Sequence, residues 1–208
     1  MEDYAYLNKL HYKVDKYKNP EKSIRKALRD TDYELDSLSR GIAQYRHKES
    51  GKKVIAVKGT DIGKKKDLVS DIRLGFGLSN TDKQFRDRRN RIKSILKENP
   101  DDKFILTGHS LGGSIALSGM TKSGSIRDRI DEAHLFNTGM TGAFHKEMSS
   151  GVGVGTRKEL GKKIKHYHSE GDVISSSLLD NAIGDVDVVE SNSTGIRGNH
   201  SLDNFIPQ

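Results

Sequence analysis

The stretch Lys103-Phe-Ile-Leu-Thr-Gly108-His-Ser110-Leu-Gly112-Gly-Ser-Ile-Ala116 decides the fold of this chain. An apolar, β-favouring run enters a G-x-S-x-G string, and a run of small residues leaves it. A strand, a tight turn and a helix in this order form a nucleophile elbow, in which a strained turn lifts a serine hydroxyl above a sheet. Gly108 and Gly112 suit that turn because side chains there would collide with the neighbouring strand and helix. The pattern predicts a nucleophilic role for Ser110.

Two alternatives concern the glycine-rich turns. In a chain with 21 glycines, the string at residues 108–112 also arises by chance, so an ordinary strand-to-helix turn is the alternative to an elbow. A Walker phosphate loop is excluded between Gly59 and Lys65. Its two glycines are one residue too close, and Lys65 stands where Ser or Thr is needed.

The rest of the chain alternates strand-like and helix-like segments. Helical spacing and the start signal Asn19-Pro20-Glu21 predict two short helices before the first strand. β-type runs at residues 42–47 and 53–58 flank a short glycine-containing connection, which predicts an antiparallel N-terminal hairpin. A capping box at residues 81–84 opens a further helix. Later strands are predicted at about residues 133–136, 164–168 and 186–189. The alternation predicts an α/β fold with a mostly parallel central sheet and helices on both faces.

Length and composition set the scale of the protein. With 208 residues and no repeat or linker, the chain is expected to form one domain over residues 1–208. The absence of cysteine excludes disulfides, thiolate zinc sites and a cysteine nucleophile. The chain shows neither a basic, apolar leader nor an apolar run of membrane-spanning length. We therefore expect an intracellular, cytoplasmic protein, with peripheral membrane or virion association left open.

A serine nucleophile needs a base, and in a fold of this kind an acid and then a histidine follow the serine along the chain. Three histidines lie well beyond the elbow: His166, His168 and His200. His200 is the best base because it follows the last strand in a polar loop that can reach back over the sheet. The other two fit a sheet wall or a surface. Asp172 ends a predicted strand at the edge where α/β sites form, so it is the expected orienting acid.

The chain resembles the class 3 lipases, the fungal-type triacylglycerol lipase family of α/β hydrolases. The resemblance rests on five segments in the family's order, of which the six-residue string Gly-His-Ser-Leu-Gly-Gly is the specific one. The segments are Val57 to Thr60, Asp67 to Ile72, Gly108 to Gly113, Gly171 to Ile174 and Asn199 to Leu202. Lys58 stands where the family usually has arginine, and the chain has no tryptophan.

The resemblance implies an α/β-hydrolase fold and a serine ester hydrolase that acts on acylglycerols or phospholipids through an acyl-enzyme. Ser110 would be the nucleophile, His200 the general base and then acid, and Asp172 the residue that orients His200. The backbone amides of Thr60 and Leu111 would form the oxyanion hole. Neither a metal ion nor another cofactor is implied. The expected partner is a lipid or small-ester substrate.

Further side chains are assigned to substrate contact on the same resemblance. They are His109, Leu74, Phe76 and Leu78. The apolar segment from Leu74 to Leu78 is shorter than the amphipathic lid of the family, so a full interfacial lid is not expected. Gly151 to Gly155 is a second apolar, glycine-rich stretch, which either borders the site or is a disordered loop.

Positive charge is concentrated in one segment. The net charge of the chain is +7, and residues 52–97 hold 14 Lys and Arg against 5 Asp. That segment therefore carries +9 and the remainder −2. Arg86, Arg89, Lys93 and Lys97 follow one helical face. The face is either an ordinary solvated surface or a region that steers the catalytic edge toward an anionic membrane.

Two other functions remain as alternatives to ester hydrolysis. One is a catalytically silent lipase-like module with a binding or structural role, against which the ordered Ser, Asp and His argue. The other is a basic nucleic-acid or anionic-surface binder. An aromatic content of 6% and the lack of a nucleic-acid motif make nucleic acid an unexpected partner.

Overall fold

A seven-stranded sheet organises the described part of the chain, with its strands in the order β1-β2-β3-β4-β5-β6-β7. The computed structural model describes residues 1–59, 83–139, 148, 150, 152–176, 182–193 and 195–207. The strands are β1 (Tyr33–Leu38), β2 (Ile42–His47), β3 (Lys53–Val57), β4 (Phe104–His109), β5 (Ile130–Phe136), β6 (Ile164–Ser169) and β7 (Asp185–Val189). The helices are α1 (Glu2–Tyr12), α2 (Pro20–Ala27), α3 (Lys83–Glu98), α4 (Leu111–Lys122), α5 (Gly124–Arg127), α6 (Val154–Lys163) and α7 (Gly195–Asn199).

The sheet is antiparallel on one side and parallel on the other. β1 pairs antiparallel with β2, and β2 pairs antiparallel with β3. From β3 to β7 every neighbouring pair is parallel. The carboxyl ends of the parallel strands therefore lie at one edge, where Val57 pairs with Gly108 and His109 pairs with Phe136. We call this edge the catalytic edge, because the candidate site lies there.

Alternating side chains of the central strands fill two cores. In β3, Ile55 and Val57 belong to a core shared with α3 and α4, whereas Val54 and Ala56 belong to a core shared with α1 and α2. A strand covered on both faces must be apolar at nearly every position, because successive side chains point to opposite faces. Helices consequently cover both faces of the sheet. The predicted fold class is confirmed, including its antiparallel N-terminal part.

Helix α3 runs back along the sheet from the catalytic edge to the opposite edge. Near its start, the Arg88 guanidinium donates to the backbone carbonyl of Lys58, just after the end of β3. Just beyond its end, the Asn99 side chain accepts a 2.9 Å hydrogen bond from Lys53, at the start of β3. Only the first turns of α3 therefore lie near the catalytic edge.

The apolar face of α3 has the predicted periodicity. Phe85, Ile92, Ile95 and Leu96 are buried in the core, at the spacing of one helical face. Burial of each of these side chains contributes roughly 1.5–3 kcal/mol. Across the described ranges, no helix is long and apolar enough to span a membrane.

Three expectations about local structure are corrected. The antiparallel part contains a further strand, β1, whose apolar and polar alternation is interrupted by an irregularity between Leu35 and Ser37. Helix α6 begins at Val154, so the second half of the stretch from Gly151 to Gly155 is helical rather than loop. Residues 195–199, expected in a polar loop, form helix α7, which ends directly before His200.

Candidate active site

Ser110 occupies a strained turn between β4 and α4. Its backbone angles are φ 56° and ψ −126°, a conformation that non-glycine residues seldom adopt and that is found mainly at functional sites. Hydrogen bonds to the end of β5 and to the segment after it hold the turn. The Ser110 amide donates to the Phe136 carbonyl at 3.0 Å, and the Gly139 amide donates to the Ser110 carbonyl at 3.3 Å. The strand, turn and helix of an elbow are thus present at the predicted residues.

Gly108 and Gly112, on either side of Ser110, lie so close to neighbouring backbone that neither position can hold a side chain. A Cβ atom at Gly112 would lie 2.1 Å from the Val57 carbonyl oxygen, and one at Gly108 would lie 2.7 Å from the carbonyl carbon of Gly112. Both obstacles are backbone atoms, which cannot move aside as a flexible side chain can. The G-x-S-x-G pattern is therefore a packing requirement where β3, β4 and α4 meet.

Asp172 and His200 form a buried pair at the same edge of the sheet. The Nδ1 atom of His200 lies 2.8 Å from Oδ2 of Asp172, and both side chains are fully buried. Asp172 Oδ1 accepts a 3.0 Å hydrogen bond from the Ile174 amide, and Oδ2 accepts a 2.6 Å hydrogen bond from the Ser175 hydroxyl. Burial raises the pKa of Asp172, but hydrogen bonds and the charge interaction with His200 outweigh it and hold this pKa below its ordinary value.

The ionised Asp172 determines the tautomer of His200. A carboxylate can only accept, so Nδ1 of His200 carries the proton that it donates to Asp172, and in the neutral ring Nε2 is left as an acceptor. The Nε2 atom and the Ser110 hydroxyl are both buried, and neither has a hydrogen-bond partner among the described residues. This arrangement can accept a proton at Nε2 while Asp172 stabilises the resulting imidazolium.

His109 connects the elbow to the backbone of His200. Burial lowers the pKa of His109 to about 3, so the ring is neutral at physiological pH. Its Nε2 lies 2.8 Å from the His200 carbonyl and its Nδ1 lies 2.9 Å from the Tyr12 hydroxyl, which accepts from the Gly59 amide at 3.1 Å. Because the carbonyl must accept, Nε2 carries the proton and the hydroxyl donates to Nδ1. Both ring nitrogens are thus engaged within the protein; substrate contact by His109 stays a prediction.

Asn137 fixes the turn that carries His200. Its side-chain nitrogen donates to the Asn199 carbonyl at 3.1 Å and to the Ser169 hydroxyl at 2.8 Å, and its oxygen accepts from the Ser169 amide at 2.8 Å. Its φ of 39° is left-handed, which asparagine tolerates better than most residues. Sequence reasoning missed this role, because Asn137 follows a strand and carries no recognisable spacing to His200.

The structure describes some of the remaining predicted site residues and not others. Leu111 is the first residue of α4, so its amide has no acceptor within the helix. His166 and His168 are buried in β6, as a wall position requires. Four predicted residues lie outside the described residues: Thr60, Leu74, Phe76 and Leu78. Within the described residues, no cluster of His, Asp and Glu side chains could hold a metal ion.

Comparison with protein families agrees with this geometry. A family model described as phospholipase-like, Tle-like phospholipase domain, matches residues 4–204. The chain belongs to this phospholipase-like family. It is therefore an ester hydrolase of the lipase and phospholipase type, with lipid esters as its general substrate class. No curated protein matches the sequence.

Solved fungal lipases are similar to the chain. The propeptide complex of a deletion variant of Rhizomucor miehei lipase has a TM-score of 0.50 and 16% identity, covering 98% of this chain and 73% of its own. Rhizopus niveus lipase II has a TM-score of 0.47 and 14% identity, with coverages of 94% and 79%. The lipase of Rhizopus microsporus var. chinensis has a TM-score of 0.43 and 14% identity, with coverages of 98% and 83%. The Rhizomucor likeness confirms the lipase-like α/β-hydrolase fold.

Proposed function

We propose that the protein hydrolyses carboxylic esters of phospholipids or acylglycerols through an acyl-enzyme on Ser110. The observation that carries this proposal is the buried pair of Asp172 and His200 at the elbow, with an acceptor nitrogen and a serine hydroxyl both left without partners. The hydrogen bond from Nδ1 to Asp172 fixes the imidazole on its far side, so its accepting nitrogen is available for proton transfer. A binding module has no need of such an oriented base.

In the acylation step, Ser110 Oγ forms a bond to the ester carbonyl carbon while its proton passes to Nε2 of His200. The carbonyl electron pair moves onto oxygen, and the Leu111 amide donates a hydrogen bond to that oxyanion, together with the amide of Thr60. The oxyanion then re-forms the carbonyl as the bond to the alcohol oxygen breaks. His200 returns its proton to this alkoxide, which leaves as the alcohol.

In the deacylation step, water replaces the serine hydroxyl as the nucleophile. His200 Nε2 takes a proton from the water as its oxygen attacks the acyl carbon, and the bond from that carbon to Ser110 Oγ breaks. The proton then passes to Oγ, which regenerates the serine, and the fatty acid is released. Asp172 remains ionised through both steps, which its lowered pKa supports.

The direct test is ester turnover together with labelling by a fluorophosphonate, an electrophile that reacts fastest with an activated serine. The native protein is expected to cleave a chromogenic ester and a phospholipid and to take up the probe. Ser110→Ala should lose both activities, while Ser176→Ala, which alters an exposed serine a few residues after Asp172, should keep them. Turnover or labelling that survives Ser110→Ala would overturn the proposal.

We also propose that the basic segment favours anionic lipid surfaces, and that its part near the catalytic edge has the larger effect. Lys83 and Arg86 are exposed in the first turns of α3, whereas Lys93 and Lys97 are exposed in its last turns. The two pairs are separated by roughly 15 Å along the helix axis, more than the roughly 8 Å over which physiological salt screens charge. Arg89 belongs to this face only in part, because its guanidinium donates to the Ser118 hydroxyl at 3.1 Å.

A cavity beside the catalytic edge supports the same preference. Its volume is about 660 Å³, and its lining includes Gly59, where an added Cβ would lie 3.3 Å from that of Ser110. Cationic side chains outnumber acidic ones in this lining. The cationic residues are Arg40, Lys58, Arg88 and Arg91, and the acidic residues are Asp15 and Asp87.

Charge reversal at the two ends of α3 tests the membrane proposal with a matched control. Lys83→Glu/Arg86→Glu is expected to lower turnover on anionic vesicles about thirtyfold or more, since each of the two cations lost contributes roughly 1 kcal/mol to binding at such a surface. Turnover of a soluble ester should not change. Lys93→Glu/Lys97→Glu makes the same change in charge farther from the edge and should have the smaller effect. Equal losses on vesicles and soluble ester would contradict the proposal.

A further inference from the structure

The carboxylate oxygen of Asp172 that contacts His200 also accepts a hydrogen bond from a second side chain, Ser175. The Ser175 hydroxyl lies 2.6 Å from Oδ2, the same carboxylate oxygen that His200 Nδ1 approaches at 2.8 Å. His168 lies one step farther on, with its Nδ1 2.5 Å from the Ser175 hydroxyl oxygen. All four side chains are buried. The acid of the site is thus the middle of a chain that begins at His168.

The direction of every hydrogen bond in this chain follows by elimination. The ionised carboxylate of Asp172 has no proton to give, so Ser175 donates its single hydroxyl proton to Oδ2. The serine oxygen can then only accept from His168, which requires the proton of the neutral His168 ring to be on Nδ1. Burial lowers the pKa of His168, so the ring is neutral at physiological pH. The other tautomer would let Ser175 turn its proton toward His168 and leave Asp172.

We propose that Ser175 and His168 are positioning residues that extend the site, with His168 holding the Ser175 hydroxyl so that it donates to Asp172. This inference rests on the proposed function and deepens it. Two donors on one carboxylate oxygen fix the carboxylate plane, and the carboxylate fixes the His200 ring. Donation from His168 also polarises the Ser175 hydroxyl and strengthens its hydrogen bond to Asp172.

The charge on Asp172 links this chain to proton uptake at His200. A donor on Oδ2 withdraws negative charge from the carboxylate, so removing Ser175 leaves Asp172 more negative and favours the protonated form of His200. The titratable groups that act on His168 are Asp172 and His200. On the other side of His200 lies the neutral His109 ring, with ring centroids 4.9 Å apart. His109 is unchanged in every variant below, so its influence is constant.

The experiment follows proton uptake by the His200 ring through the NMR signals of the full-length, histidine-labelled protein. In Ser175→Ala, the titration midpoint of His200 is expected to move upward by roughly 0.5 pH unit, the shift that one ordinary hydrogen bond produces. The acid limb of the pH-rate profile should move the same way, and kcat on a soluble ester should fall roughly tenfold with KM unchanged. Ser176→Ala, at the neighbouring exposed serine, should leave the midpoint where it is in the native protein.

A pair of similar-sized substitutions separates the donor of His168 from its bulk. His168→Asn keeps an N–H group near the position of Nδ1 and should stay close to the native midpoint. His168→Leu has no donor and should shift the midpoint in the direction of Ser175→Ala, by a smaller amount. This pair tests the chain without altering Ser175, so the answer does not depend on the folding of one variant.

Two results would overturn the inference. One is an unchanged midpoint in folded Ser175→Ala. The other is a His168→Leu shift that persists in a Ser175→Ala background, because His168 would then act by another route. The titration midpoint of His200 is measured without substrate, so this test does not depend on ester turnover. If the native protein cleaved no ester, the proposed function would be wrong, but the NMR measurement would still decide this inference.

Discussion

The elbow that carries Ser110 and the turn that carries His200 are held in different ways. The elbow depends on backbone packing close to the serine. Neighbouring backbone approaches Gly108 and Gly112 so closely that no side chain fits at either position. The His200 turn depends on side chains 28 to 91 positions away along the chain, among them Asp172 and His109. The proposed nucleophile is thus held by close backbone packing around its turn, and the proposed base is held by side chains from distant parts of the chain.

This difference predicts distinct failures when each region is altered. Damage to the elbow should prevent the sheet and α4 from packing, so protein is lost together with activity. Damage to the contacts of His200 should leave a folded protein that binds substrate but turns it over slowly. Substitutions at Gly112, Asp172 and Asn137 test that contrast.

The largest effect on folding is expected from Gly112→Ala. The new Cβ would meet the Val57 carbonyl at 2.1 Å, so β3 and α4 must separate. We expect destabilisation of roughly 3 kcal/mol or more, or failure to fold, measured by chemical unfolding. The control is Gly161→Ala within α6, where a Cβ meets nothing within 4 Å and should stabilise the protein by roughly 0.5–1 kcal/mol. Similar free energies of unfolding for the two variants would contradict a steric clash at position 112.

A smaller effect on folding, with a large effect on catalysis, is expected from Asp172→Asn. The amide carries no charge to stabilise the imidazolium and can present an N–H to Nδ1, which favours the wrong tautomer of His200. We expect kcat on a soluble ester to fall by about 10³- to 10⁴-fold with little change in KM. Circular dichroism should show an intact fold. Retention of more than a tenth of the native kcat would be inconsistent with a base oriented by Asp172.

The smallest of the three effects is expected at Asn137. Asn137→Ala removes three hydrogen bonds around the His200 turn and puts alanine at a positive φ. We expect kcat to fall about 10- to 100-fold through misplacement of the base. Asn137→Gly removes the same side chain but tolerates the backbone conformation. It should therefore lose as much kcat as the alanine variant while unfolding at a higher denaturant concentration. Full activity in Asn137→Gly would exclude a positioning role for the side chain.

The same contrast explains what the sequence could reveal. The elbow was predictable because its apolar strand, small residues and glycines are contiguous and each follows from a local steric rule. The sheet was predictable from alternating segments, apart from β1, where an irregularity between Leu35 and Ser37 breaks the pattern. Asp172 and His200 could be named from their order in the chain and from the resemblance to lipases.

The residues that hold His200 in place could not be predicted from local patterns. Asn137 contacts Ser169 and Asn199, which are 32 and 62 positions away along the chain, and only the tertiary fold brings them together. Ser175 lies 3 positions from Asp172 and 7 from His168, but no known motif has this spacing. His200 was expected in a polar loop, yet the ring is completely buried and its backbone carbonyl accepts a hydrogen bond from His109.

The most direct test of the central claim is to trap the acyl-enzyme. The native protein is mixed with a slowly deacylating chromogenic ester, quenched in acid within the first turnover, digested and analysed by mass spectrometry. We predict that the acyl group is found on Ser110 and that its amount matches the burst of released alcohol. An acyl group on a different residue, or full turnover with no burst and no covalent adduct at any time point, would contradict the proposed mechanism.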